Sequence, residues 1–376
     1  MTLMAYETRE SKKLSNIAPA LLAWYEENAR ILPWRLGPGA RREGKTPDPY
    51  HVWLSEIMLQ QTTVKTVAPR FKDFVGRWEN VEALARASLD DVLGEWAGLG
   101  YYARARNLHQ CARAIVEKHG GAFPRKEEAL RKLPGIGDYT AAAVAAIAFD
   151  APAAVVDGNI ERVLARLFLI DAPLPRAKAE IKKRAREIWP LRRSGDFAQG
   201  LMDLGALVCK PKEPSCGACP LPAHCRAYAR GNTQDLPNKP PKKQRPRRCG
   251  AVFALLKENG DMLFARRPEA GLLAGCLGLP GTPWADGLPE DIFAWAPARA
   301  VWKKAGEATH IFTHFHLTLD VYAARAPKGF RRKKGQEWIA PENAPLPTVM
   351  KKAAGLLREK RQNARAGDSA RAERTS

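Results

Sequence analysis

The chain has 376 residues, and 61 Lys and Arg against 40 Asp and Glu leave it a net charge of +21. Hydrophobic residues make up 45% and charged residues 27%. These proportions are ordinary for a globular protein of two or three domains and exclude disorder throughout. The longest apolar stretch, Tyr139 to Phe149, is eleven residues, about half of the ~20 that a bilayer span requires. The first residues lack a signal-peptide core, so neither membrane insertion nor secretion is expected. A positive excess this large draws polyanions, which makes nucleic acid the leading partner class.

Residues up to about 230 read as helical. The segment 51–61 places Glu56 on one helix face with Trp53, Ile57 and Gln60. An acid among apolar groups has a raised pKa and keeps a proton to donate; a surface Glu on an amphipathic helix is the plainer alternative. The segment 103–118 gathers Leu108, Cys111 or Ala112, and Ile115 on one face. Leu133-Pro134-Gly135-Ile136-Gly137-Asp138-Tyr139-Thr140 then precedes an alanine-rich helix over 139–149. Gly135 and Gly137 permit positive φ, and the following helix N-terminus could take a phosphate, although a simple inter-helix turn has the same pattern. Asp157, in Val155-Val156-Asp157-Gly158-Asn159-Ile160, precedes a helix over 159–169. Asp is a preferred N-cap there, and its second oxygen could still face a cleft. A further helix is expected over 177–189.

Seven cysteines are present, and four fall within seventeen residues as Cys209-x6-Cys216-x2-Cys219-x5-Cys225. An odd count with one dense cluster points to a metal site in a reducing compartment. Structural zinc sites present pairs of cysteines two to four apart, and only one pair here does. A cubane [4Fe–4S] cluster, one cysteine per corner iron, is the better match.

From Pro237 to Arg248 prolines alternate with Lys and Arg, as in an extended linker. Strands are expected at 251–256, 262–265 and 311–323. In the last, Ile311, Phe315, Leu317, Leu319 and Val321 share one face, with His314, His316, Thr318 and Asp320 opposite. A helix at about 348–360 and a polar, basic tail follow. The expected organisation is a helical region over 14–230, a basic linker over 231–249, an α+β domain over 250–360 and a disordered tail over 361–376.

Leu32-Pro33-Trp34-Arg35, Trp53 to Thr62, Gly98-Leu99-Gly100-Tyr101-Tyr102, the 133–140 loop, Val156-Asp157-Gly158-Asn159 and the four cysteines occur in an order that resembles the helix-hairpin-helix, iron–sulfur DNA glycosylases, above all their adenine-removing branch. The resemblance covers about 20–230 strongly and 250–360 more loosely. It implies an all-α helix-hairpin-helix region, a [4Fe–4S] cluster on Cys209, Cys216, Cys219 and Cys225, and a C-terminal α+β Nudix-like domain that reads the lesion. Glu56 would protonate the adenine ring, and Asp157 would stabilise or trap the oxocarbenium-like sugar, with Tyr139 and Asn159 in support. Leu32, Trp34 and Arg35 would line the pocket of the extruded adenine. Gln61, Thr62, Leu99 and Tyr101 would enter the duplex beside the opposing 8-oxoguanine, since a base inside a duplex is reached only by flipping it out.

Strand-cleaving relatives carry Lys where this chain has Tyr139, so the resemblance implies hydrolysis without a Schiff base. In the C-terminal part it rests on Gly271-Leu272-Leu273-Ala274-Gly275, Leu279-Pro280 and Phe312-Thr313-His314-Phe315-His316. No acidic Nudix box follows Gly281, which speaks against nucleotide hydrolysis, and Cys276 to Pro280 departs from the family's aromatic-acidic pattern. Thr313 keeps the hydroxyl of the usual Ser and, with His314, would contact 8-oxoguanine. The implied partner is double-stranded DNA carrying 8-oxoguanine:A or G:A mispairs, met by a monomer in the bacterial cytoplasm at the nucleoid. A pyrimidine or mismatch glycosylase like endonuclease III is opposed by Tyr139 and the C-terminal domain. A non-catalytic iron–sulfur DNA-binding protein is opposed by the presence of both Glu56 and Asp157.

Overall fold

The computed structural model describes residues 14–241, 244–268 and 271–357. The tail expected over 361–376, the last turn of the helix expected to reach 360, and Lys242 and Lys243 of the linker lie outside the described residues. The chain divides into two compact units. One runs through Ala87 and resumes from Asn107 to 241; the other takes Ser88–Arg106 and the described residues from 244 onward.

The longer helices of the first unit are α1 (Ile17–Asn28), α2 (Pro49–Met58), α3 (Val64–Arg77), α4 (Ala103–His119, whose first turn belongs to the second unit), α5 (Asp138–Phe149), α6 (Gly158–Phe168), α7 (Lys178–Ile188) and α8 (Ser194–Leu207). Their starts are written locally: Asp48 accepts from Tyr50 N ahead of Pro49, Thr63 accepts from Thr66 N, and Asp157 accepts from Ile160 N. The apolar run that was too short for a membrane is α5, buried at every residue from Thr140 to Ala148 and packed against α2 and α8. A helix apolar all round belongs in the centre of a unit. Among the described residues, no helix is long and apolar enough to cross a membrane. The helix expected over 51–61 stops at Met58, because Gln61 turns the chain with a positive φ of 60°.

The second unit is built on a sheet of β1 (Arg247–Leu256), β2 (Met262–Arg266), β3 (Leu277–Gly278), β4 (Lys303–Ile311), β5 (His316–Arg325) and β6 (Gln336–Ile339). The order is β3-β2-β1-β5-β4 with β6 on β2, and only β1 with β5 is parallel. Arg247 and Arg248 pair with His316 and Leu317, so the strand starts inside the segment expected to be linker. The strand expected over 311–323 is also corrected. Ile311 ends β4, β5 begins at His316, and Phe312 N donates to Phe315 O at 2.9 Å across the intervening turn. Phe312 and Phe315 pack on each other with ring centroids 4.9 Å apart, and this contact reverses a chain whose alternation alone reads as continuous. Helical residues 348–357 cover one sheet face, where Val349, Met350, Ala353 and Leu357 pack with Val252, Leu317, Leu319 and Val321. Within this unit Arg266 reaches Asp90 with two bonds of 2.8 and 2.9 Å, tying Ser88–Arg106 to the sheet.

Candidate active site

Glu56 sits on α2 and is 5% exposed. Its Oε2 accepts a 2.6 Å hydrogen bond from the hydroxyl of Tyr139, in the first turn of α5. Burial pushes the Glu56 carboxyl from its ordinary 4.5 up to about 7; the Tyr139 bond opposes this, Asp157 adds to it and Arg35 opposes it. Burial, with Glu56 and Asp157 beside it, holds the Tyr139 phenol well above its ordinary value, so it serves as a neutral donor.

Asp157 both caps α6 and faces the cavity. Its Oδ1 accepts from Ile160 N at 2.7 Å and its Oδ2 from Asn159 Nδ2 at 3.0 Å. Burial raises its pKa, while the bonds from Ile160 and Asn159 and the nearby Arg162 pull it back. Arg162 donates to Asn159 Oδ1 at 3.0 Å and to the Cys209 carbonyl at 2.8 Å, so the cysteine loop helps orient the residue that orients Asp157.

A cavity of about 880 Å³ brings Glu56, Tyr139, Asp157 and Asn159 together with Leu32, Trp34 and Arg35. Gln61, Thr62, Gly135 and Gly137 line it too. Only one of the two hairpin glycines uses the left-handed region. Gly135 has φ +73°, and a Cβ there would meet Asn107 Cβ at 2.5 Å; Gly137 caps α5 at φ −90° with open space around it. Leu99, Tyr101, Thr313 and His314 are not part of this cavity and lie in the second unit. Leu99 is buried, so entering a duplex would require it to leave its packing. Tyr101 is 43% exposed, its hydroxyl hydrogen-bonds that of Thr313, and Thr313 and His314 are exposed in the turn between β4 and β5.

Sequence reasoning missed Asp203, Arg30 and Met202. Asp203 on α8 is fully buried and accepts from Arg30 Nε at 2.5 Å, from Arg30 N at 2.9 Å and from Arg35 Nη1 at 2.7 and 2.8 Å. It thereby fixes the Arg30–Arg35 wall of the cavity, which Met202 also lines. The available signal was an acid embedded in the apolar run Leu201-Met202-Asp203-Leu204, a position that requires buried cationic partners.

Cys209, Cys216, Cys219 and Cys225 line one small cavity just past α8, and none forms a disulfide. Arg166 stands beside them, 1% exposed. It donates to Cys209 Sγ at 3.3 Å and to the carbonyls of Lys210, Pro211 and Leu236 at 2.7, 3.1 and 3.0 Å. These acceptors include no carboxylate. Among the described residues, no three His, Cys, Asp or Glu side chains are placed to hold a single metal ion.

Residues 54–191 match the HhH-GPD superfamily of base excision DNA repair proteins, and residues 251–355 match the NUDIX domain. The adenine DNA glycosylase of Mus musculus is 35% identical over 411 residues, covering 92% of this chain and 79% of the relative. The chain belongs to the adenine DNA glycosylase family. Within that family the Homo sapiens enzyme is 34% identical over 92% of this chain and 74% of its own. The enzyme of Buchnera aphidicola subsp. Acyrthosiphon pisum (strain APS) is 32% identical over 88% and 95%. A thermostable thymine-DNA glycosylase of known structure superposes with a TM-score of 0.51 at 30% identity, covering 58% of this chain and 98% of that one. The architecture expected of the family, a helical glycosylase region followed by a Nudix-like domain, is the one observed, and this member is a DNA glycosylase of base excision repair.

Proposed function

We propose that the protein hydrolyses the N-glycosidic bond of adenine paired with 8-oxoguanine or guanine in duplex DNA and leaves the strands uncut. The observation that carries this reading is that Glu56 and Asp157 line one cavity in unequal surroundings. Glu56 is buried, accepts one bond from Tyr139 and holds a proton up to about pH 7. Asp157 receives donors on both oxygens and has Arg162 nearby. In a coupled pair, the better-solvated carboxyl ionises first. Glu56 is therefore the acid that protonates a ring nitrogen of the flipped adenine, which leaves as the neutral base with the bonding electron pair. Asp157 is the anion facing the positive charge that grows on the sugar, and it stabilises or traps that centre until water adds. Tyr139 orients Glu56 and supplies no amine, which supports hydrolysis without strand cleavage.

The cysteine loop suits a [4Fe–4S] cluster held by Cys209, Cys216, Cys219 and Cys225. A guanidinium as buried as Arg166 costs several kcal/mol without a counter-charge, and a thiolate-bound cluster supplies one where carboxylates do not. Such a group, when bound, provides thiolate-ligated iron of adjustable redox state and a rigid loop. The chain's own part is to fix Arg162, and through it Asn159 and Asp157. The net charge and an odd cysteine count with one dense cluster suit DNA in a reducing compartment such as the bacterial cytoplasm and its nucleoid. The exposure of Thr313 and His314 in the turn between β4 and β5 supports a contact with the lesion.

Single-turnover assays on duplexes carrying 8-oxoguanine:A, G:A or thymine glycol test this reading. Free adenine from the first two, with intact strands and no borohydride-trapped complex, is the expected result. Release of the pyrimidine lesion alone, or efficient trapping, would overturn it.

A further inference from the structure

Arg104 opens α4 immediately after the loop Gly98-Leu99-Gly100-Tyr101-Tyr102 and is 9% exposed. Its guanidinium carbon lies 5.2 Å from the ring centroid of Trp96 and 5.6 Å from that of Tyr101. Its Nη2 donates to the Leu99 carbonyl at 2.7 Å and to the Gly100 carbonyl at 3.1 Å. Trp96 Nε1 donates to the same Gly100 carbonyl at 3.0 Å. The loop between these anchors is left-handed at Gly98, Gly100 and Tyr101, with φ of +97°, +70° and +50°. Tyrosine rarely adopts that conformation, and it persists only where surrounding contacts impose it. Burial lowers the guanidinium to about 10, with Tyr101 opposing, so the cation is retained at neutral pH. Arg104 thus stacks on the ring of Tyr101 and ties down the two residues before it. The Tyr101 residue as a whole stays 43% exposed.

We propose that Arg104 is the positioning residue that presents Tyr101 as a preformed wedge to the DNA duplex. The proposal rests on the glycosylase reading, in which Tyr101 enters the helix as the adenine leaves. Opening a base stack costs unstacking energy, and a side chain already held in its working geometry loses little further entropy on entry. Lysine cannot substitute, because its ammonium has no planar face to stack on two rings.

A double-mutant cycle tests the assignment. Arg104→Lys should lower both duplex affinity and the single-turnover excision rate by roughly tenfold, the scale of a desolvated cation–π contact. In a Tyr101→Leu background the same change should cost less than about twofold, because the two residues act as one unit. Amides of Leu99 to Tyr102 should exchange faster in Arg104→Lys, while the melting temperature and iron content stay at wild-type values. Should Arg104→Lys fail to fold, Arg104→Gln carries the cycle. Additive losses would show that Arg104 acts through general stability, and wild-type behaviour of the variant would show no role; either overturns the proposal. Absence of adenine release by the unmutated enzyme would instead defeat the functional reading, with the affinity and exchange arms still deciding on Arg104.

Discussion

Replacing Glu56 by Gln should abolish excision and at the same time stabilise the protein above neutral pH. The folded carboxyl titrates at about 7 against an ordinary 4.5, and at ~1.4 kcal/mol per pH unit the difference is about 3 kcal/mol. Because burial raises the folded value, the stability tied to this proton is complete below about pH 4.5 and is lost as pH rises through about 7. At pH 8 the wild-type fold buries an ionised carboxylate, whereas Gln stays neutral and still accepts from the Tyr139 hydroxyl. The gain from Glu56→Gln should therefore be under about 1 kcal/mol at pH 5 and approach 3 kcal/mol at pH 8. For a unit of this size that is roughly 6–12 °C in melting temperature at the higher pH. Differential scanning calorimetry at the two pH values reads it directly. In parallel, wild-type single-turnover excision should fall about tenfold per unit above pH 7, and the variant should lose ~10²–10⁴-fold, the worth of a general acid. Equal melting differences at pH 5 and pH 8, or a wild-type rate flat from pH 6 to 9, would refute the reasoning.

Asp157→Asn should remove excision yet change stability by less than about 1 kcal/mol, since Asn also caps helices; thermal melts and single-turnover rates measured together check this. Gly135→Ala should destabilise the hairpin by about 2 kcal/mol or more, because its φ is +73° and a Cβ would meet Asn107 at 2.5 Å. Duplex affinity should fall with it. Affinity for duplex DNA should drop steeply with salt, ~10³–10⁵-fold between 50 and 200 mM if 6–10 phosphates are contacted, and a flat titration would contradict a phosphate-bound complex. Cys219→Ser should leave fewer than about four irons per chain and lower the melting temperature, as Arg166 loses its counter-charge; iron analysis and calorimetry follow both.

Much of this protein is legible without coordinates, because several of its decisions are local. The N-cap at Asp157, the turn at Gly135 and the run of small apolar residues in α5 each depend on neighbours a few positions away. The motifs that carry the chemistry are likewise short, so Glu56, Asp157 and the four cysteines are nominated by their own surroundings in the chain, whereas Tyr139 and Asn159 are named by the family resemblance. Other features depend on partners far along it. Arg247 and Arg248 read as linker until β5 supplies a parallel neighbour, and 311–323 reads as one strand until Phe312 meets Phe315. Asp203 has no evident role until Arg30 and Arg35, about 170 positions earlier, close on it. The proton on Glu56 belongs to this second class. Its identity as an acid is written in the sequence, but the loss of water that moves it to about 7 exists only once α2, α5 and the Asp157 cap close around it.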